Sequence, residues 1–472
     1  MPSGTAGKDP ADVLAGAIPA TVHDLLRSLW AAGHGAYVVG GALRDAIAGR
    51  ESADWDLATG ALPEQTAALF ADAAYENRFG TVAVRRGGVE YAITTFRSDH
   101  DYADFRRPHR VEFGTSVELD LARRDFTMNA LAWGAEPGGK PGLVDPFEGV
   151  ADIRATVIRA VGEPRRRFEE DALRIVRAIR FAATLEWAIE PATFAALREA
   201  AALVGHLSGE RIATELDRIL AAERPSVGLH LLMQTGALAA ISAELARQRG
   251  VAQSKVPGED LWDHTVRTVD AAENRPIVRL AALVHDIGKP ATAADGHFYG
   301  HESVGADLAG DFLDRLHVSV ATRHAVVHLV RQHMFRYEPA WGDPAIRRFL
   351  AKVGPGAIDD LLALREADNE GSGVPRNADH LDELRARIAA ELAAGPILDR
   401  SALAIGGAEL MSELGVASGP EVGRILGILF DRVVEDPSLN DRATLLALAR
   451  AHAGADRDGD RDRPPFAPDR RE

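Results

Sequence analysis

The run Val38-Val39-Gly40-Gly41-Ala42-Leu43-Arg44-Asp45, followed by Asp54-Trp55-Asp56, decides how this chain is read. An apolar stretch ends in two glycines, and a helix-like segment then begins with Arg44 and Asp45 in its first turn. Glycines at such a turn let backbone N–H groups approach a phosphate closely, and a helix N-terminus adds a favourable dipole. Arg44 can then fork onto a phosphate oxygen. Asp54 and Asp56 alternate along a strand-like segment, so both carboxylates leave on one face. Two carboxylates beside a phosphate cradle predict a site for Mg²⁺ ions and a nucleoside triphosphate. Either half alone is commonplace, as turn punctuation or a solvated strand face. Their order and closeness carry the reading.

Bulk properties narrow the field without naming a reaction. At 472 residues the chain is long enough for several domains with ample buried core. Its 54 Lys and Arg against 70 Asp and Glu give a net charge of −16, which argues against a generally basic nucleic-acid coat. RNA contact then depends on local clusters such as Arg106-Arg107-Pro108-His109-Arg110, Arg123-Arg124 and Arg165-Arg166-Arg167. With no cysteine, disulfides and thiolate metal sites are excluded. No run approaches an uncharged membrane span and no N-terminal apolar segment is present, so a soluble, cytoplasmic protein with no membrane partner is expected. Oligomeric state is not readable.

Along the chain, residues 1–20 read as a loose leader. Strands are expected at Ala36–Val39, around Asp54–Asp56, at Thr81–Arg85 and at Val89–Phe96, with helices at 42–48 and 62–74. Arg86-Gly87-Gly88 signals a hairpin. The polar stretch 97–110 reads as a surface loop. From about Asp171 onward the pattern is helical, and residues 453–472, dense in Asp, Arg and Pro, read as disordered.

The segment Gly40–Thr59 resembles the bacterial CCA-adding enzymes and poly(A) polymerases, within the nucleotidyltransferase superfamily that includes DNA polymerase β. Arg123-Arg124-Asp125-Phe126-Thr127-Met128-Asn129-Ala130 matches the family's RRDFT-x-NA motif. That resemblance makes Asp54 and Asp56 the catalytic Mg²⁺ ligands. It makes Gly40, Gly41, Arg44, Arg124 and Asp125 contacts to the triphosphate and ribose. It also implies that the stretch after Arg97 is flexible and influences nucleotide choice. Where the family often has Glu just before V-T-T-F-R, this chain has Ala92, and Glu90 on the same strand face is a candidate replacement.

A second stretch, Glu170-Asp171-Ala172-Leu173-Arg174, matches the family's EDxxR element, and Arg177 and Arg180 match further arginines. Read as a continuous helix, steps of three drift by about 60°, which sets Arg180 roughly opposite Asp171. As an ordinary helix face, Asp171 and Arg174 would pair with each other. As a base reader they do more. Carboxylate only accepts hydrogen bonds and guanidinium only donates. Cytosine and adenine each offer an amino donor beside a ring-nitrogen acceptor, whereas uracil and guanine reverse both. Each reversed buried contact costs about 1–3 kcal/mol. The pair therefore admits C and A and rejects U and G.

Half of the 16 histidines fall between residues 264 and 333. The order His264, His285-Asp286, Asp368 resembles the HD phosphohydrolase superfamily, with Leu283-Val-His-Asp-Ile-Gly-Lys289 a close match. The resemblance implies a divalent metal of unassigned identity at those four residues. His301 and His333 match flanking positions that contact phosphate or a second metal. His324 and His328, four apart, read equally well as a plain helix face.

The expected protein is α+β: a small polymerase β-like head (mixed sheet with helices) followed by an all-α body that includes an HD domain. The expected divisions are leader 1–20, catalytic head 21–155, helical neck 156–255, HD domain 256–372, C-terminal tRNA-binding helices 373–452 and tail 453–472. The implied reaction is addition of CCA to tRNA from CTP and ATP. The alternatives are poly(A) or A-only addition, or a metal-dependent HD phosphohydrolase with a degenerate head.

Overall fold

The computed structural model describes residues 9–52, 54–75, 80–103, 107–114, 116–253 and 255–459. The expectations for residues 1–8, Arg106 and 460–472, and for the side chains of Arg107–Arg110, lie outside the described residues. The chain forms two compact units, residues 1–252 with 259–266 and 310–320, and residues 253–258, 267–309 and 321–472.

The first unit holds a seven-stranded mixed sheet. Its strands are β1 (Ala36–Val39), β2 (Asp56–Thr59), β3 (Ala73–Tyr75), β4 (Thr81–Arg86) and β5 (Val89–Thr95). Strands β6 (Arg97–Ala103) and β7 (Arg107–Phe113) form a separate ribbon, and β8 (Ala132–Ala135) and β9 (Gly142–Val144) complete the sheet. The sheet order is β3-β4-β5-β2-β1-β8-β9, with β2 and β5 parallel. All four residues of β1 are buried, which is why it reads as an uninterrupted apolar run. One face packs Tyr37, Val39, Ala58 and Ala132 on Phe96, Leu121 and Val161. At Gly134 a Cβ would lie 2.2 Å from the Ala36 carbonyl oxygen, so β8 approaches β1 only because this residue has no side chain.

Three local expectations change. Pro10–Ala17 is a helix with Leu14 fully buried, so the chain is not a loose leader up to residue 20. The helix expected over 62–74 stops at Leu69, and Ala73–Tyr75 turns into an edge strand paired with β4. Sheet pairing outweighs the apolar period there. The polar 97–110 stretch is β6–β7, in register from Arg97 opposite Phe113. A two-stranded ribbon satisfies its backbone without an apolar face, so its sequence carries no strand alternation.

Downstream, helices Pro164–Glu170, Leu173–Leu185, Pro191–Ala200, Gly209–Leu220 and Pro225–Thr235 follow one another. The second unit is helical and carries Pro276–Val284, Val320–Gln332, Asp343–Val353 and Ile358–Gly371. Its last helices, Gly407–Leu414, Pro420–Glu435 and Arg442–Gly459, bury Leu410, Ile425, Leu429 and Leu445 together. The final helix thus enters the stretch expected to be disordered from residue 453. No helix among the described residues is long and apolar enough to cross a membrane.

Gly134→Ala should lower the urea midpoint by the equivalent of about 1–3 kcal/mol, because β1 and β8 must separate. Gly142→Ala, whose added carbon meets nothing within 4 Å, should leave the midpoint unchanged.

Candidate active site

β1 ends at Gly40, whose φ of +81° is a conformation that L side chains rarely adopt. A Cβ at Gly40 would also sit 3.0 Å from Arg124 Nη1. The turn launches the short helix Gly41–Ile47, which carries Arg44 inward. Arg44 donates from Nη1 to Asn129 Oδ1 (2.7 Å) and from Nε and Nη2 to Asp45 (3.0 and 2.9 Å). Trp55 is buried between Asp54 and Asp56, both exposed, so the carboxylates share one side of the chain as the alternation predicted. The strand itself begins only at Asp56. Crowding in the cleft raises the Asp56 pKa and the Asp54 carboxylate adds to the rise, while Arg124 opposes it.

One cleft of about 430 Å³ gathers this site. All nine residues expected to bind nucleotide line it: Gly40, Gly41, Arg44, Arg124 and Asp125, then Asp171, Arg174, Arg177 and Arg180. Asp56 lines it too, with Arg123, Asn129 and Phe181. Asp54 acts on it through Asp56. Six arginines against three aspartates make the wall cationic, the polarity a triphosphate requires.

Buried acids set each arginine. Asp120 accepts from Arg123 (2.7 and 3.0 Å) and Arg124 (3.2 Å). Asp125 accepts from Arg177 Nε (2.8 Å), Asn129 Nδ2 (3.1 Å) and the Phe126 backbone N–H (2.8 Å). Burial works to raise the Asp125 pKa, but Arg177, Asn129 and Arg174 together hold it down at about 2. Glu215, buried on helix Gly209–Leu220, pairs with Arg180 at 2.7 Å, and burial takes Arg180 down to about 10. The Phe181 ring lies 3.7 Å from the Arg180 guanidinium carbon, 5.2 Å from that of Arg44 and 5.4 Å from that of Arg177.

The pair expected to read the base is built differently from the expected single helix. Helix Pro164–Glu170 ends at Asp171, which is extended (φ −150°, ψ 106°), and Leu173–Leu185 starts afresh. That break corrects the helical projection: Arg180 is not opposite Asp171 but lines the same cleft. Nor do the two side chains pair. Asp171 Oδ1 accepts from the Leu173 backbone N–H (3.0 Å), and both oxygens accept from Arg211 Nη2 (3.0 and 2.7 Å). Arg174 donates from Nη1 to the Arg167 carbonyl (2.9 Å) and Glu170 (2.7 Å), and from Nη2 to the Arg123 carbonyl (2.8 Å). Three of its five N–H donors are taken, leaving Nε–H and one Nη2 hydrogen.

Sequence reasoning missed Asp120, Asn129, Phe181, Arg211 and Glu215. Asn129 stood in the matched RRDFT-x-NA motif. Arg211 and Glu215, four apart on one helix face, carried no signal beyond an ordinary charged helix. Glu90 is not among the cleft residues; it pairs with Arg85 across β4–β5 at 3.1 Å. Leu57 opposite Ile93 sets Ala92 beside Asp56, so the position itself lacks a carboxylate.

In the second unit, Asp286, His301 and His333 are buried with ligand atoms within 4.8 Å of one another. His301 Nε2 lies 3.3 Å from Asp286 Oδ1 and 3.3 Å from His333 Nε2. His285 Nε2 is 3.1 Å from Asp286 Oδ2 and 3.9 Å from Asp368 Oδ1. The Nδ1 atoms of His285, His301 and His333 each meet a backbone carbonyl three residues back, at 2.7–2.8 Å. Each Nδ1 therefore donates to a carbonyl and turns Nε2 toward the cluster, the orientation of metal-binding imidazoles. Lys289 Nζ (2.6 Å from Asp286) and Lys255 Nζ (3.3 Å from Asp368) balance the carboxylates. His264 is buried on helix Leu261–Ala271, in the part belonging to the first unit. His328 Nε2 meets the Val353 carbonyl at 2.7 Å and His324 is exposed, so this pair is a helix face.

Asp125 gives a pH prediction. Its folded pKa lies below the unfolded value, so its ionised form stabilises the fold above about pH 4 and that contribution is lost as pH falls toward 2. Asp125→Asn should destabilise by about 2 kcal/mol at pH 7, and the gap to wild type should close between pH 4 and 2 in denaturant titrations.

Comparison with known proteins agrees with this geometry. Residues 36–159 match the poly A polymerase head domain, 187–248 the probable RNA and SrmB-binding site of polymerase A, and 235–390 the HD domain. The chain is 33% identical over 432 residues to the CCA-adding enzyme of Streptococcus pyogenes, covering 90% of this chain and 95% of that one. It is 31% identical over 431 residues to the CCA-adding enzyme of Geobacillus stearothermophilus, covering 90% and 94%. Among solved structures, the Bacillus stearothermophilus CCA-adding enzyme in complex with CTP superposes with a TM-score of 0.67 at 28% identity, covering 93% of this chain and 98% of that one. With its head, its RNA-binding segment and its HD segment matched to family models, and relatives aligned along nine-tenths of its length, the chain belongs to the CCA-adding enzyme family of nucleotidyltransferases.

Proposed function

We propose that this enzyme adds C, C and A in turn to the 3′ end of tRNA from CTP and ATP in the cytoplasm, with no nucleic-acid template. The observation that carries the reading is one cleft in which Asp56, Asp171 and six arginines, Arg174 among them, meet. Relatives named CCA-adding enzymes, one of them solved with CTP, support the same reading. Functionally we divide the chain into head 21–155, neck 156–255, HD domain 256–372 and C-terminal tRNA-binding helices 373–452.

In the reaction the RNA 3′-hydroxyl attacks the α-phosphorus and pyrophosphate leaves. Asp54 and Asp56 fit Mg²⁺: both are exposed on one side of the chain, Asp56 lines the cleft, and neither has a hydrogen-bond or ion-pair partner among the described residues. Two such ions would lower the pKa of the hydroxyl and neutralise the leaving group. Arg44, Arg124 and Arg177 hold the triphosphate, so catalysis is mainly alignment and charge neutralisation. The base meets the remaining lone pair of Asp171 Oδ2 and the two remaining donors of Arg174. Their fixed sense accepts an amino group beside a bare ring nitrogen and leaves the carbonyl and N–H of uracil unsatisfied.

The histidine cluster favours a second, separate site. His285, Asp286, Asp368, His301 and His333, with His264 expected from the motif, suit a divalent metal that polarises a phosphate ester and its attacking water. Poly(A) or A-only addition remains the alternative for the head.

The deciding assay is incorporation on tRNA ending before CCA. Wild type should use CTP alone for two additions and ATP only after them, and Asp56→Ala should lose at least 10³-fold in rate, on the order of a removed transition-state charge contact. An A-only enzyme would ignore CTP, and an HD phosphohydrolase with a silent head would lose turnover in His285→Ala instead. Arg211→Gln should keep the fold but raise UTP incorporation relative to CTP by about tenfold, the worth of one misaligned hydrogen bond at the Asp171 carboxylate.

A further inference from the structure

Asp286 offers a divalent ion two sides, and they are not equivalent. On the Oδ1 side, His301 Nε2 lies at 3.3 Å and His333 Nε2 at 3.7 Å, and these two nitrogens are 3.3 Å apart. An ion about 2.1 Å from each ligand sets neighbouring ligand atoms about 3.0–3.4 Å apart, for octahedral to tetrahedral angles. Two of the three separations already fall in that range, and the third needs to close by about 0.3 Å. The two imidazole planes stand at 62°, so their Nε2 atoms converge instead of stacking. All three residues are buried, and a backbone carbonyl holds each ring at Nδ1, at 2.7 Å.

The Oδ2 side, which the motif order would give to the ion together with His285 and Asp368, already holds cations. Lys289 Nζ is 2.6 Å from Oδ2. Asp368 lies 3.9 Å from His285 Nε2 and is tied to Lys255 Nζ (3.3 Å), Arg365 Nη1 (3.6 Å) and Ser372 Oγ (3.3 Å). Among the described residues Asp368 joins no group of metal-binding spacing, whereas Asp286, His301 and His333 form one. An ion on that side would have to expel an ammonium or lie against it.

We propose, on the reading that the cluster is a metal centre, that one ion is held by Asp286 Oδ1, His301 Nε2 and His333 Nε2, and not by the quartet that the motif order names. Three protein ligands leave positions open for water and a phosphate oxygen, as a catalytic ion needs. Two neutral imidazoles and one carboxylate leave the ion net positive, and Lys289 adds to the pull on an anionic ester. His285, 3.1 Å from Asp286 Oδ2, and Asp368 beyond it are then positioning residues. Two nitrogen ligands also favour a first-row transition ion over Mg²⁺.

The test titrates the chelator-treated full chain with Co²⁺ in excess Mg²⁺, by calorimetry and by the visible absorption of nitrogen-ligated cobalt. Wild type should take up one such ion per chain. His301→Gln and His333→Gln should each weaken its binding by about a hundredfold or more, whereas His285→Gln and Asp368→Asn, acting through Asp286, should cost about tenfold. Circular dichroism of the metal-free variants should match wild type. Anomalous scattering at the cobalt edge from wild-type crystals needs no variant, and should place the ion about 2.0–2.2 Å from the three named atoms. An ion found on His285 and Asp368 overturns the proposal. So does binding that is lost in Asp368→Asn but kept in His301→Gln and His333→Gln, or two nitrogen-ligated ions per chain. No uptake of Co²⁺ by wild type would overturn the reading of the cluster as a metal centre, and the proposal with it.

Discussion

Like charges packed side by side repel, and six guanidiniums in one cleft are held there by carboxylates placed behind them. Asp120 sits behind Arg123 and Arg124, Asp125 behind Arg177, Glu170 behind Arg174, and Glu215 behind Arg180. At the few-ångström separations involved, each pairing outweighs the repulsion between neighbouring cations. Because these acids are largely buried, deleting one leaves an uncompensated charge rather than a neutral gap. The rest of the site depends on this arrangement: the triphosphate sees cations already aimed, and no wall has to be rebuilt when it arrives.

What could be read in advance followed from how local each feature is. Gly40-Gly41 and Asp54-Trp55-Asp56 keep their chemistry within a turn or two of backbone, so residue type and spacing sufficed, whereas the roles in the contiguous RRDFT-x-NA run came from its family resemblance. The nine residues expected to bind nucleotide, several of them named by the family resemblance, line one cleft. The Asp171 break was not legible, because Glu169–Arg180 keeps an unbroken apolar and charged helical period across it. Arg211 and Glu215 were invisible because their partners lie about 40 residues away in sequence, and an i,i+4 Arg and Glu on a helix describes most solvent-facing helices. The β6–β7 ribbon was misread as a loop since a two-stranded ladder imposes no burial on either face.

Net charge proved a poor guide to where anions bind. The chain is acidic as a whole, yet the cleft of the first unit presents six arginines against three aspartates at its wall. Excess acid elsewhere discourages non-specific adhesion to nucleic acid and concentrates attraction at that cleft. The histidine cluster follows the opposite logic: imidazoles held by backbone carbonyls at Nδ1 and two carboxylates, balanced by Lys289 and Lys255.

Phe181 has a consequence for turnover. A polymerising centre that serves two different triphosphates has to empty and refill several times on one RNA end. Its aromatic face gives three guanidiniums a soft neighbour that is present in every state, whereas a phosphate is present in only some. In the vacant cleft Arg44, Arg177 and Arg180 therefore keep a common neighbour, and their spacing does not rest on a bound phosphate.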